Sequence, residues 1–291
     1  MPQVRSVAGV CFTYLAMWVM LITSGCAWLD NHQRELIYRP TPLSSAQAPA
    51  LQAEDERFFI DVPDTPGLQR LELWWLPHCN PQAPTLLYLH GTFRNLPQNL
   101  HKINSLREAG FAILAVDYRG WGLSSRITPS EQSIFQDAQL AWSELQRREP
   151  RAAQRVIYGH SMGSGVAVGL ASGLRSPEDY GALILESAFT SFPDVAEQAG
   201  FIAKVFSRVS NERFLSIDRI AKVQAPLLMI HGDQDKTVPM VLGRRLFDAA
   251  HAPKQWVAIE GGGHSDVNLT GSTQYQAALA TFQKRFLSQT Q

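Results

Sequence analysis

Residues 155–165 read Arg155-Val156-Ile157-Tyr158-Gly159-His160-Ser161-Met162-Gly163-Ser164-Gly165, a short apolar run that breaks into a glycine-flanked serine. The placement reads as a nucleophile elbow. A serine hydroxyl is a weak nucleophile until a base takes its proton, so it has to stand clear of neighbouring side chains where a histidine and a carbonyl carbon both reach it. Gly159 and Gly163 provide that clearance, because without Cβ atoms they let a strand turn sharply into a helix and leave Ser161 at the tip. The new helix then starts with free N–H groups beside the attacked carbonyl. For the pentapeptide alone, a glycine-rich turn with an incidental serine is the minor alternative. Its surroundings favour the elbow: Val166-Ala167-Val168-Gly169-Leu170-Ala171 is small and apolar, as suits a helix packed closely on a sheet, and Gly181-Ala182-Leu183-Ile184-Leu185-Glu186 looks like the next buried strand.

On either side of the elbow, apolar runs bounded by turn residues alternate with helical patterns. Phe58–Val62 and Leu71–Leu76 predict a leading antiparallel pair. Thr85–Leu89, Ala112–Val116, Val156–Tyr158, Ala182–Leu185, Leu227–Ile230 and Trp256–Ile259 predict core strands. Ile134, Ala138, Ala141, Trp142 and Leu145 share one helical face, as do Tyr275, Ala278, Leu279, Phe282 and Phe286. Such helices cover a sheet, so the fold class is α/β, a mostly parallel sheet of about eight strands with helices on both faces. Residues 56–291 read as one domain without internal repeats.

Three more segments fall where acyl chemistry needs them. Leu89-His90-Gly91-Thr92-Phe93 leaves a strand. Attack on a carbonyl puts negative charge on its oxygen, and preorganised backbone N–H groups stabilise that charge more than the neutral carbonyl. Met162 is the expected first donor and Thr92 or Phe93 the second, although the His-Gly turn taken alone is also a plain strand ending. In His231-Gly232-Asp233-Gln234-Asp235-Lys236-Thr237-Val238-Pro239, a carboxylate past a strand can orient a histidine and stabilise its imidazolium. Asp233 and Asp235 compete for that role, and either is also a candidate cap for a helix starting near Val238. Finally, Glu260-Gly261-Gly262-Gly263-His264-Ser265-Asp266 carries a histidine past the last strand, at the sheet edge where the other loops converge. An isolated histidine is more often a packing residue, but Ser161, Asp235 and His264 come in the chain order of a strand–elbow–helix triad.

Composition excludes other classes. Lys plus Arg and Asp plus Glu number 26 each, and no basic stripe with interleaved aromatics occurs, which argues against a nucleic-acid partner. Eight scattered histidines, without a Cys pair or dense carboxylate cluster, suggest neither a metal site nor a bound cofactor. Cys79 is the one ordinary cysteine of the domain, so no internal disulfide framework is expected.

At the N-terminus, Arg5 precedes the mostly apolar run Val7–Ile22 and Thr23-Ser24-Gly25-Cys26, the layout of an export signal, with an uncleaved anchor as the other reading. The stretch resembles a bacterial lipoprotein signal, which implies that residues 1–25 are removed and Cys26 is lipidated, holding the protein at a membrane surface. By the same resemblance, the protein is placed in the cell envelope facing the periplasm, and Ala27 after the cysteine points to the outer membrane. Residues 26–55 are polar and carry Pro40, Pro42 and Pro49, and they read as a tether without regular structure.

Over roughly Arg34 to Phe286 the chain resembles α/β-hydrolases, most closely the Bem46-like, ABHD13-like and ABHD17-like serine hydrolases grouped with serine aminopeptidase S33-type domains. The resemblance is carried by Leu36-Ile37-Tyr38-Arg39-Pro40, Leu89-His90-Gly91-Thr92, Asp117-Tyr118-Arg119-Gly120-Trp121-Gly122-Leu123-Ser124, Gly159-His160-Ser161-Met162-Gly163, Glu186-Ser187-Ala188-Phe189-Thr190-Ser191 and His231–Pro239. It implies that Asp235 is the triad acid and that Asp117 and Arg119 shape a turn below the site. After Gly91 the chain departs from the usual asparagine-led run. Between Glu186 and Pro226 only a small cap fits, in which Phe189, Phe192, Phe201, Phe206 and Phe214 line either an acyl pocket or the core. No paired arginines wait for a carboxylate or phosphate, so a small-molecule or lipid-like acyl substrate is expected. The leading expectation is ester or thioester hydrolysis through an acyl-serine. Amide or peptide hydrolysis by the same groups and a non-catalytic, membrane-anchored binding module are the other readings.

Overall fold

The computed structural model describes residues 29–65, 67–200, 207, 210–251 and 253–287; the signal over 1–25, Cys26, Phe201 and Phe206 lie outside them. The strands are β1 (Glu56–Val62), β2 (Gln69–Leu76), β3 (Thr85–Leu89), β4 (Ala112–Asp117), β5 (Arg155–His160), β6 (Ala182–Glu186), β7 (Leu227–Gly232) and β8 (Lys254–Ile259). They form one sheet in the order β1-β2-β4-β3-β5-β6-β7-β8. β1 and β2 run antiparallel, β2 pairs antiparallel with β4, and every later pairing is parallel, so the expected leading pair and core strands are all present.

Strand periodicity explains how both faces are buried. Leu86, Tyr88, Val156, Tyr158 and Ile184 point into one core, and their neighbours Leu87, Leu89, Ile157, Leu183 and Leu185 point into the other. Helices α1 (29–38), α2 (Leu100–Glu108), α3 (Glu131–Arg148), α4 (Met162–Ala171), α5 (Phe192–Ala199), α6 (Met240–Ala249), α7 (Val267–Thr270) and α8 (Ser272–Phe286) surround the sheet. Ile134, Trp142, Val166 and Leu242 place α3, α4 and α6 on one face, while Ile103, Leu106, Tyr275 and Phe282 place α2 and α8 on the other. Ser130 starts α3 by accepting the Ser133 N–H, a cap that typically stabilises by about 1 kcal/mol. β3 lies between β4 and β5, and the crossover leaving β3 for β4 runs opposite to the one leaving β5 for β6, which opens a crevice past the C-terminal ends of β3 and β5.

The tether reading needs correction. Residues 29–38 are helical, and the chain continues onto the domain through Leu43, whose N–H donates to Gly122 O at 2.7 Å, and Tyr38, which is fully buried. The prolines that argued against structure all follow this helix, where Pro40 acts as a stop. Leu29, Leu36 and Ile37 supply the helical spacing.

Candidate active site

Ser161 sits at the hinge between β5 and α4 with φ 54° and ψ −124°, a backbone region unfavourable for any residue with a side chain. Close approach of backbone holds it there. A Cβ on Gly159 would lie 2.2 Å from Gly163 O, and one on Gly163 would lie 2.0 Å from Leu89 O, so only glycine fits at either place. The Ser161 N–H donates to Glu186 O at 3.0 Å, tying the elbow to β6.

His264 arrives from the loop after β8. Its Nε2 is 2.9 Å from Ser161 Oγ and its Nδ1 is 2.8 Å from Asp235 Oδ2, so the three side chains form one hydrogen-bonded line. Asp235 is fully buried at its side chain, and its other oxygen accepts the Thr237 and Val238 N–H groups. Burial alone would raise its pKa, but hydrogen bonds from His231, His264 and Val238 hold the carboxyl well below the usual carboxylate range. It is therefore ionised, as a partner for an imidazolium has to be. Asp233 caps no helix; it accepts the Gly261 N–H at 2.8 Å and fixes the glycine run that carries His264. Of the two competing aspartates, only Asp235 reaches the histidine.

Met162 is the first residue of α4, so its N–H has no carbonyl one turn earlier to meet. Gly91 packs against Ser161: a Cβ there would lie 2.9 Å from Ser161 Cβ and 3.4 Å from Ser161 Oγ. Of the two residues that follow, Phe93 donates its N–H to Tyr38 O at 3.4 Å, whereas the Thr92 N–H has no hydrogen-bond partner among the described residues. Asp117 supports this turn by accepting the Leu96 N–H, and His90 lies 3.2 Å from the same carboxylate. Arg119 pairs with Asp137 at 2.8 Å. The resemblance put both Asp117 and Arg119 in a turn, but only Arg119 sits in one; Asp117 ends β4.

Sequence reasoning missed a buried polar layer beneath the triad. Lys102 of α2 pairs with Glu186 at the end of β6, both fully buried, and Tyr158 and Tyr275 hydroxyls donate to the same carboxylate at 2.6 and 3.2 Å. Burial opposes ionisation of Glu186, yet the Lys102 charge and its hydrogen bond keep its pKa below the usual value. His160 stands beside this pair and donates from Nε2 to the backbone carbonyl of His264 at 2.8 Å. Burial, reinforced by the Lys102 ammonium, pushes the His160 imidazole down to about 3, so it stays neutral. His101 Nε2 reaches Ser265 O at 3.2 Å, and Ser187 Oγ donates to His264 O at 3.3 Å. The loop of His264 is thus held by its backbone from α2, β5 and the turn after β6. Lys102 lies 84 residues from its partner and, in Leu100–Glu108, reads as an ordinary solvated helix charge. The clue available was Glu186 ending an otherwise apolar strand.

Beside the site, an apolar cavity of about 570 Å³ lies between α1 and α5, bounded by Leu29, Leu36, Ile37, Phe192, Val195 and the Thr92–Phe93 turn. Ser161 does not line it; the turn that packs on Ser161 does. Phe192 takes the expected place on its wall, but Phe189 and Phe214 are buried in the core, where Phe214 stacks on Phe135 with centroids 5.6 Å apart. Glu212 is the one carboxylate among the described lining residues, and it is already occupied by Arg34 at 3.0 Å, the Tyr38 hydroxyl and the Glu131 N–H. Among the described residues, no group of three or more His, Cys, Asp or Glu side chains is placed to hold a metal ion.

The arrangement has relatives. The family described as serine aminopeptidase, S33 matches residues 80–217. An uncharacterised protein of Mycobacterium tuberculosis is 34% identical over 94% of this chain and 93% of its own length. The human alpha/beta hydrolase domain-containing protein 17B is 35% identical over 72% of this chain and 69% of its own. Among solved structures, the Pyrococcus furiosus esterase PF2001 superposes with a TM-score of 0.67 over 86% of this chain and 97% of its own, at 17% identity.

Proposed function

The chain belongs to the α/β-hydrolase superfamily, and from that membership we propose that it is a serine hydrolase cleaving carboxylic-ester or acyl-thioester bonds through an acyl-serine. The supporting observation is the unbroken line from Ser161 Oγ through both nitrogens of His264 to Asp235. As Oγ attacks the carbonyl carbon, His264 Nε2 takes its proton, while Asp235 keeps the other proton on Nδ1 and stabilises the imidazolium. The oxyanion is met by the N–H groups of Met162 and Thr92, the latter preferred over Phe93 because its N–H is free. His264 then protonates the leaving oxygen or sulfur, the bond breaks, and a water molecule deprotonated by His264 attacks the acyl group and releases Ser161. Acyl transfer of this kind needs no cofactor. In the same proposal, the N-terminus holds the enzyme on a membrane of the cell envelope facing the periplasm, through lipid on Cys26 or through an uncleaved apolar segment over 7–22.

The family's aminopeptidase description raises amide cleavage as a second reading. A substrate with a free α-ammonium needs an open carboxylate near the scissile bond. Glu212 is neutralised by Arg34, and the rest of the described cavity wall is mainly apolar, which favours an uncharged acyl chain. Steady-state kinetics on an acyl ester, the matching thioester and an aminoacyl anilide tests this. The ester and thioester are expected to exceed the anilide by about 10² or more in kcat/KM. A preference for the anilide would reverse the assignment.

A further inference from the structure

We propose that the mouth of the apolar cavity docks on the lipid bilayer, so that acyl substrate enters the site from the membrane side. The inference rests on the anchored acyl-hydrolase reading above and adds an orientation to it. Leu29, Leu36 and Phe93 all line the cavity and yet are 51%, 59% and 41% exposed. Leu29 and Leu36 are seven residues apart on α1, two turns on one helix face, so they form a rim about 10 Å long. Phe93 faces them from the turn after β3.

The chain itself says what covers this rim. Leu29 is three residues past Cys26, a reach of at most about 11 Å, and seven residues past the end of the apolar run Val7–Ile22. Whichever of the two provides the anchor, the first residues to emerge from it are the ones that rim the cavity. A protein moored there presents this edge to the bilayer. The exposed Arg39 guanidinium lies 4.9 Å from the Phe93 ring centroid, which places a cation at headgroup depth beside an apolar contact, the pairing that suits an anionic lipid surface. Val241 in the first turn of α6 and Leu269 five residues past His264, 62% and 59% exposed, add apolar side chains to elements that begin at the same end of the sheet.

The test uses the full chain reconstituted in phosphatidylethanolamine–phosphatidylglycerol vesicles, with and without acyl chains brominated near the headgroup. Leu36→Trp places a reporter on the rim; Glu178→Trp places one in the exposed turn before β6, at the opposite end of the strands. Emission added by Leu36→Trp is expected to fall by about half or more on the brominated lipid, as befits a side chain within the interface, while emission added by Glu178→Trp is unchanged. Adding Leu29→Asp to the Leu36→Trp chain should reduce that quenching. Membrane-bound protein with no quenching of the Leu36→Trp reporter would show that the anchor alone holds the chain and would overturn the docking. Equal quenching at both positions would overturn it as well. Ester turnover by the same vesicles is scored separately: its absence counts against the hydrolase reading and leaves the quenching result standing.

Discussion

At the residue scale, Asp235 divides its two oxygens between two tasks. One orients His264, and the other holds the backbone of the turn that delivers it. Asp235→Asn keeps an acceptor for the turn but removes the charge that stabilises the imidazolium, and its amide favours the wrong histidine tautomer. The expected result is a near-native fold with kcat lowered by roughly 10² to 10⁴. Asp233→Asn disturbs one hydrogen bond to Gly261, so its expected cost is about 1 kcal/mol of stability with turnover reduced only a few-fold. Steady-state rates with circular dichroism on both variants check the pair. A larger rate loss from Asp233→Asn would move the acid two residues upstream. The motif pointed to this loop but left both aspartates open, because a helix cap, a turn and a triad acid all use the same residue type; the resemblance favoured Asp235, and the distances agree.

At the scale of elements, the His264 loop is held by hydrogen bonds to its backbone from His160, His101 and Ser187, above a buried ion pair. Removing one partner of Lys102–Glu186 would leave a fully buried charge unpaired, which typically costs roughly 3–5 kcal/mol. His160 gives this layer a pH signature. Its folded pKa of about 3 lies below the value near 6.5 of an unfolded histidine, so between those values the unfolded chain binds more protons than the folded one. Its contribution is therefore fully present above pH 6.5 and is lost as the pH falls towards 3, at about 1.4 kcal/mol per pH unit at most. Urea unfolding at pH 7 and pH 4.5 reads this out: the stability difference between the natural chain and His160→Asn is expected to shift against the natural chain at the lower pH. An identical difference at both pH values would contradict a neutral, buried imidazole at this place.

For the whole molecule, legibility followed the range of the interactions. The strands were readable because each is a short apolar run closed by turn residues, and the elbow because Gly159 answers a local steric demand at Gly163 O. The polar layer was not, since Lys102, Glu186 and Asn268 meet only after folding has joined α2, β6 and α7. Helix α1 was hidden by the prolines beyond it, and with it one wall of the cavity. The proposed function makes one chemical event its centre, a covalent bond between Ser161 Oγ and an acyl carbon. The direct measurement treats the full natural chain and Ser161→Ala with a serine-directed fluorophosphonate and maps the adduct by peptide mass spectrometry. The natural chain should carry one adduct, on Ser161, and the folded Ser161→Ala chain none, with turnover lowered by about 10³ or more. Full labelling of folded Ser161→Ala, or no labelling of the natural chain, would contradict a serine hydrolase centred on this elbow.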